Sequence, residues 1–524
     1  MDSPQSQEHY PTDTESSRLP RWLTDTPYWA ISSVVHVLLV LLIGSWVLID
    51  RPEEKPPKRS EISLVKPKKK RPEGRKPSRK PQPPTLTPPS PHPVTDVVEP
   101  VEPTLPTTPN PKKTDPSLIQ NVFGPSGMPS GSPYIGRLSA GKTGGDTYDA
   151  VLASLRWLKR HQHPDGHWSA ADYFPQCKDP DHPCKLKSPG YVDGRGFEGY
   201  DVGVTALALL AFLGNGHTHE LGAEPEFRDT VKRAKNWLIA QQVRSDDPRL
   251  DGVIGKSDAE EWVYNHAIAT MALSELLLLS RDTFGKLPRV VERATRYILR
   301  AQNEGYGWKY DYSSGKNDTS VTGWMVLALK ASKLCSRYRM IKIKTSEYTP
   351  AFTGALAWFE RCTSTHSGVT GYESPGDPGS SLRAAYPDPY PYSKDLSCMT
   401  AVSVLCRILA GQKRKEPRIR DGVEVLRKEL PVWRLARGKR KSKINLYYWY
   451  YASYALFQYG GRAWDEWNEA MQEALMDNQR NEGCEHGSWD PVGEWGAAGG
   501  RVYATALGAM TLEVYYRFAR QQSP

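Results

Sequence analysis

Two kinds of apolar pattern alternate along the C-terminal part of the chain. One is amphipathic, as in DTVKRAKNWLIAQQ (residues 229–242), where apolar residues return every three or four positions and line one face of a helix. The other is apolar almost all round, as in VTALALLAF (204–212), a run that suits a helix enclosed on every side. Runs of the second kind return as NHAIATMAL, VTGWMVLAL, MTAVSVLCR, YYASYALFQ and YATALGAMT. A polar residue near the start of each (Thr205, His266, Thr322, Thr400, Tyr451, Thr505) recurs at intervals of 61, 56, 78, 51 and 54 positions. Two helices per unit, repeated six times, predict an all-α architecture in which no unit buries its apolar face alone. Closure of six pairs into an α/α toroid over residues 147–524 places the amphipathic helices outside and the apolar helices inside.

The amphipathic helices end in a shared phrase. RWLKRHQHPDGHW (156–168) contains Trp157, Leu158, Gln162, Gly166 and Trp168; parts of it return as Trp237, Leu238 and Gln242, as Tyr297, Ile298, Gln302, Gly307 and Trp308, and as Gln479, Gly487 and Trp489. Structural use accounts for these residues: the amide caps helix-end groups and the indole covers the turn. The phrase resembles the QW-type motif of the prenyltransferase and squalene-oxidase repeat superfamily, over roughly residues 148–520. That resemblance implies the terpenoid cyclase-like α/α toroid. It does not imply one activity, because such toroids serve cyclases, transferase subunits and thioester domains.

Residues 1–27 form a polar tail, and residues 28–49, YWAISSVVHVLLVLLIGSWVLI, carry no charge. At about 1.5 Å per residue these 22 positions span roughly 33 Å, enough for one transmembrane helix, with Trp29 and Trp46 near its ends. The segment that follows, 50–146, is rich in Pro and Lys and predicts a disordered linker. Between Arg51 and Lys113, 15 Lys and Arg face 7 Asp and Glu, so +8 of the formal +10 net charge sits here, with 18 of the 44 prolines. No aromatic residue lies in that stretch, and the basic character therefore predicts no nucleic-acid partner. The anchor with Ser32 and His36 four residues apart, followed by EISLVKPKKKRPEGRKPSRKPQPP, resembles the N-terminal part of TonB-type energy transducers. The resemblance implies contact with a membrane motor complex through Ser32 and His36, and a periplasmic toroid. Lysines and arginines after the span pull the other way and, taken literally, place the toroid in the cytoplasm.

Candidate chemistry gathers at the starts of the inner helices, whose dipoles favour anions. Four positions before the aligned residues stand Asp201, Trp262, Asp318, Leu396, Tyr447 and Arg501, with Asp395 and Tyr448 beside them. Asp318, Asp201, Asp395 and His266 are the acid/base candidates; Arg501, Tyr447, Tyr448 and Trp262 are the ligand-binding candidates. Asp318-Thr319 before an apolar run is equally a helix start. Triterpene cyclases use a DxDD acid motif, and GKNDTSV has Gly315 and Asn317 in place of its earlier acids, which argues against that chemistry. Resemblance to protein prenyltransferases would make Asp395, Cys398 and His266 zinc ligands, and resemblance to lanthionine cyclases would use Cys484 and His486. In both the spacing or the remaining motifs differ, and zinc is not the favoured expectation. Cys177 and Cys184 flank KDPDHP and predict a short disulfide-closed loop in an oxidising compartment, or part of a metal site in a reducing one. Cys335, Cys362, Cys398 and Cys406 fall in helical segments as apolar fillers.

The favoured expectation is a membrane-anchored binding or scaffold protein of the cell envelope that presents its toroid to a lipid, polysaccharide or protein. The alternative is an enzyme acting in the toroid cavity on an isoprenoid or a glycan.

Overall fold

The computed structural model describes residues 144–178, 184, 194–220, 225–255, 262–280, 282–377, 397–435 and 442–514. The expected anchor at 28–49 with Ser32 and His36, the linker up to residue 143, and Asp395 lie outside the described residues. Among the described residues no helix is long and apolar enough to cross a membrane.

Twelve α-helices follow one another, in six pairs, among the described residues. The odd-numbered helices are α1 (Gly144–Arg160), α3 (Arg228–Ala240), α5 (Leu287–Ala301), α7 (Thr349–Cys362), α9 (Pro417–Leu426) and α11 (Arg462–Met476). The even-numbered helices are α2 (Asp201–Gly214), α4 (Trp262–Leu279), α6 (Thr319–Arg337), α8 (Ser397–Leu409), α10 (Leu446–Tyr459) and α12 (Gly496–Leu512). Each even helix packs on the next even helix, and α12 packs back on α2, so the inner ring closes on itself. The outer ring closes where α11 meets α1.

Burial follows the sequence pattern. In α5, Leu287, Val290, Val291, Ala294, Tyr297, Ile298 and Ala301 are buried, a stripe at helical spacing, while the arginines face outward. In α2 every residue after Asp201 is buried. An amphipathic helix has one face to hide and takes an outer place; a helix apolar all round loses hydrophobic stabilisation wherever it meets water and takes an inner one.

The shared phrase joins the repeats. Gln162 Nε2 donates to Gly166 O in its own turn at 2.8 Å and to Thr230 O of α3 at 3.0 Å. Gln242 reaches Val290 O of α5, Gln302 reaches Ala351 O of α7, and Gln479 reaches Ala150 O of α1, so the last glutamine closes the ring. The tryptophan indoles cap the outer helices: Trp168 donates to Leu158 O, Trp308 to Ile298 O and Trp489 to Leu475 O. Gly166 sits at φ 112°, and a Cβ there would come 2.4 Å from Arg233 O of the neighbouring helix; glycine meets both demands.

The aligned polar residues on the inner helices complete this joint. Thr205 Oγ1 accepts from the Trp168 backbone N–H at 2.9 Å, Thr322 from Trp308 at 3.1 Å, Thr400 from Thr370 at 3.0 Å and Thr505 from Trp489 at 3.4 Å. His266 holds the same place in its repeat: its Nδ1 accepts from the Ile254 N–H at 3.0 Å. In five of the six repeats the recurring polar position thus satisfies a turn amide that burial would otherwise leave unpaired, whereas Tyr451 packs its ring against Trp324 and Tyr447.

Candidate active site

Asp318 precedes α6 in extended backbone (φ −141°, ψ 160°), and its Oδ1 accepts from the Val321 N–H at 2.7 Å. It is an N-cap, as the sequence allowed. A cap needs only one oxygen. The other, Oδ2, is buried without a hydrogen-bond partner, and the whole residue is inaccessible to solvent. Burial pushes the carboxyl up to about 7, against the opposing pull of the Val321 amide, Tyr372 and Lys309. At neutral pH this carboxyl is poised between acid and base.

Phenols surround it. Tyr264 Oη of α4 donates to Ser320 Oγ at 3.1 Å, and Ser320 Oγ pairs with Tyr447 Oη of α10 at 3.0 Å, so the first turns of α4, α6 and α10 meet. Tyr310 Oη and Tyr372 Oη, from the turns after α5 and α7, are 2.6 Å apart. Burial raises Tyr264, Tyr310, Tyr372 and Tyr447, which keeps these hydroxyls protonated at neutral pH. Lys309 lies over the rings of Tyr310 and Tyr372, 5.6 and 5.8 Å from their centroids, and forms an ion pair with Glu373. Desolvation alone would lower Lys309, but Glu373 prevails and raises it. Two carboxylates thus stand in contrasting settings: Asp318 buried with a bare oxygen, Glu373 half-exposed and ion-paired.

Beneath this layer Trp324 of α6 packs on Tyr447, Tyr450 and Tyr451 of α10, with ring centroids 6.1, 6.1 and 5.4 Å apart. These rings pack between α6 and α10 and form an aromatic floor beside the phenol cluster at Ser320 and Tyr447. A groove at the other end of α6, of 610 Å³, is lined by Lys330, Lys333, Arg337, Arg339, Lys342 and Lys344, with no carboxylate in its wall.

Most of the other candidates serve the scaffold. Asp201 Oδ1 accepts from the Ala170 N–H at 2.9 Å and steadies the first turn. His266 is fully buried, burial lowers it to about 3, and it props the Ile254 turn while meeting Tyr297 edge-on at 4.8 Å. Trp262 packs edge-on against the same Tyr297, at 5.8 Å. Tyr448 is buried with its hydroxyl on Glu429 O at 2.9 Å, so of the two neighbouring tyrosines only Tyr447 joins the phenol cluster.

Arg501 does not face a cleft. It is 1% exposed, pairs with Asp490 at 2.7 Å, donates to Ser488 Oγ at 3.0 Å, and its backbone N–H meets Gly194 O at 2.7 Å. The glycines beside it let the first and last repeats touch: Gly500 has φ 68°, and a Cβ there would meet Gly196 N at 2.6 Å. Cys398 is buried in α8, near Tyr447. Cys177 and Cys184 are free thiols, not a disulfide; Cys184 Sγ instead lies 3.0 Å from Cys484 Sγ. His486 is exposed next to that thiol, and its backbone carbonyl accepts from Arg160.

Tyr264, Tyr310, Tyr372, Lys309 and Glu373 were not singled out in the sequence. Tyr264 lies two residues before His266, and Lys309 and Tyr310 directly follow Trp308, but only the ring shows that these turns converge on Asp318.

No family model and no curated protein matches the chain. Solved structures similar to it include a novel alpha-amylase from Clostridium perfringens, at 12% identity and TM-score 0.44, covering 70% of this chain and 98% of that one. Type II terpene cyclase MstE from Scytonema aligns at 11% identity and TM-score 0.40, over 71% of this chain and 98% of the cyclase. A protein from Actinoplanes aligns at 12% and 0.39, over 70% and 98%. At these scores the likeness adds nothing to the closed ring that helix packing already establishes.

Proposed function

We propose that the toroid is an acid–base enzyme acting at the phenol cluster around Asp318 on a hydroxyl-rich substrate of the glycan class, whose entry uncovers that buried carboxyl. The observation that carries this reading is the buried Oδ2 of Asp318, beside the Tyr372 hydroxyl, in a carboxyl that burial raises to about 7. A group of that strength exchanges protons readily with oxygen near neutral pH, and is far too weak an acid to protonate an alkene. An isoprenoid would also prefer apolar surroundings, whereas these offer hydroxyls and the Lys309–Glu373 ion pair. Asp318 would donate the proton to a leaving oxygen, protonated phenols would hydrogen-bond the developing charge, and Glu373 would be the partner carboxylate. The anchor and linker expected from the sequence would hold this activity at the envelope membrane.

The aromatic floor favours the second reading, a binding module that seats a glycan without turning it over. The two separate on envelope glycan fragments and aryl glycosides with the full chain. Asp318→Asn and Glu373→Gln should each lower kcat by about 100-fold or more while the melting temperature holds. Saturable binding with no turnover, unchanged in both variants, would favour the binding module.

A further inference from the structure

The seam between the first and last repeats gathers three zinc-type ligands and sets a fourth thiol against one of them. His161, directly after α1, is fully buried, and its Nε2 lies 3.2 Å from Cys184 Sγ. Cys184 Sγ lies 3.0 Å from Cys484 Sγ, across 300 residues of chain. The ligand atoms of His161, Cys177 and Cys184 are all within 4.8 Å of one another. A tetrahedral zinc with Zn–S of about 2.3 Å and Zn–N of about 2.0 Å has ligand–ligand edges of roughly 3.5 to 3.8 Å, so small adjustments would seat an ion among His161, Cys177 and Cys184, with the Cys484 thiol turning from Cys184 to complete the set.

The surroundings prepare that geometry. His161 Nδ1 is 2.8 Å from Trp157 O, which places the proton on Nδ1 and leaves the Nε2 lone pair facing Cys184 Sγ. A backbone carbonyl in this role orients metal-bound histidines. The imidazole stacks on Trp157, with centroids 4.2 Å apart and planes 22° apart, which fixes the ring. Lys178 N–H on Arg160 O returns the Cys177 segment to the end of α1, and Arg160 on His486 O brings the Cys484 turn to the same place.

We propose that His161, Cys177, Cys184 and Cys484 form a Cys₃His structural zinc site that clasps the first repeat to the last. Binding exchanges three thiol protons for Zn²⁺, leaves the cysteines as thiolates and involves no redox step. Four protein ligands leave no open position, so the ion holds the ring closed and takes no part in chemistry at Asp318.

The full chain, purified without chelator, should carry one zinc per molecule by elemental mass spectrometry. A strong chelator should remove the zinc and lower the melting temperature. Cobalt(II) in its place should show tetrahedral d–d bands with thiolate charge transfer. Cys484→Ser should lose the metal, and Cys484→His, which keeps four ligands, should regain it; this rescue separates a lost ligand from a lost fold. A metal-free chain two hydrogens lighter, with Cys184 linked to Cys484, would overturn the site, as would cobalt bands without thiolate character or zinc undiminished in Cys484→Ser.

Discussion

At the scale of the residue, Asp318 serves two ends with two oxygens. Oδ1 caps α6, and removing it in Asp318→Ala should cost about 1 kcal/mol of stability. Asparagine keeps the cap and discards the charge, so the two variants separate the roles. The sign of the pH effect follows from the direction of the shift. Burial raises the folded carboxyl from 3.8 to about 7, so the folded state holds the proton more tightly than the unfolded chain. The resulting stability is present below the unfolded value and is lost as pH rises through about 7. Asp318→Asn should therefore gain on wild type as pH climbs from about 5 to 8, by on the order of a few kcal/mol at most, read from urea midpoints at each pH. A gap that does not move with pH would mean that the carboxyl ionises normally and is only a cap.

At the scale of the element, the outer helices α1, α5 and α11 are each fastened by a glutamine, an indole and a polar side chain of the inner helix. Thr322 shows what one such joint contributes. Thr322→Val keeps the shape but leaves the buried Trp308 N–H without its acceptor, which should cost about 1 to 3 kcal/mol by urea denaturation. The repeat alignment located Thr205, His266, Thr322, Thr400 and Thr505, because a recurring position is visible in one dimension. Their purpose was not visible, since the amide each one satisfies lies 12 to 37 residues away in a turn. Histidine can stand for threonine at 266 because a neutral imidazole nitrogen accepts a hydrogen bond as a hydroxyl does.

At the scale of the whole molecule, stability depends on closure, and closure concentrates buried groups. His266 is lowered to about 3 and His217 to about 4, both chiefly by burial, from the ordinary 6.5 of a histidine. Below pH 6.5 the unfolded chain takes up protons that these two folded residues refuse. Their contribution is complete above 6.5 and is lost as pH falls toward 4 and 3, at about 1.4 kcal/mol per pH unit for each histidine. Asp318 opposes them with about one proton of the opposite sign over the same range, so the histidine contribution is read by difference: His217→Gln should make the slope of unfolding free energy between pH 6 and 4.5 shallower by about one proton. A slope unchanged in His217→Gln would place that imidazole in contact with water.

The sequence by itself determined the helical class, the six pairs and which member of each pair lies inside, because hydrophobic periodicity is local and each helix carries its own burial pattern. It also placed Asp318 at a helix start. Tertiary structure decided which of the candidates share a site. Closing the ring brings Tyr310 and Tyr372 from successive turns over Asp318, sends Arg501 into the seam with Asp490, and sets Cys484 beside Cys184. Burial of a carboxyl and convergence of ligands 300 residues apart are properties of the closed ring, to which no stretch of the chain bears witness alone.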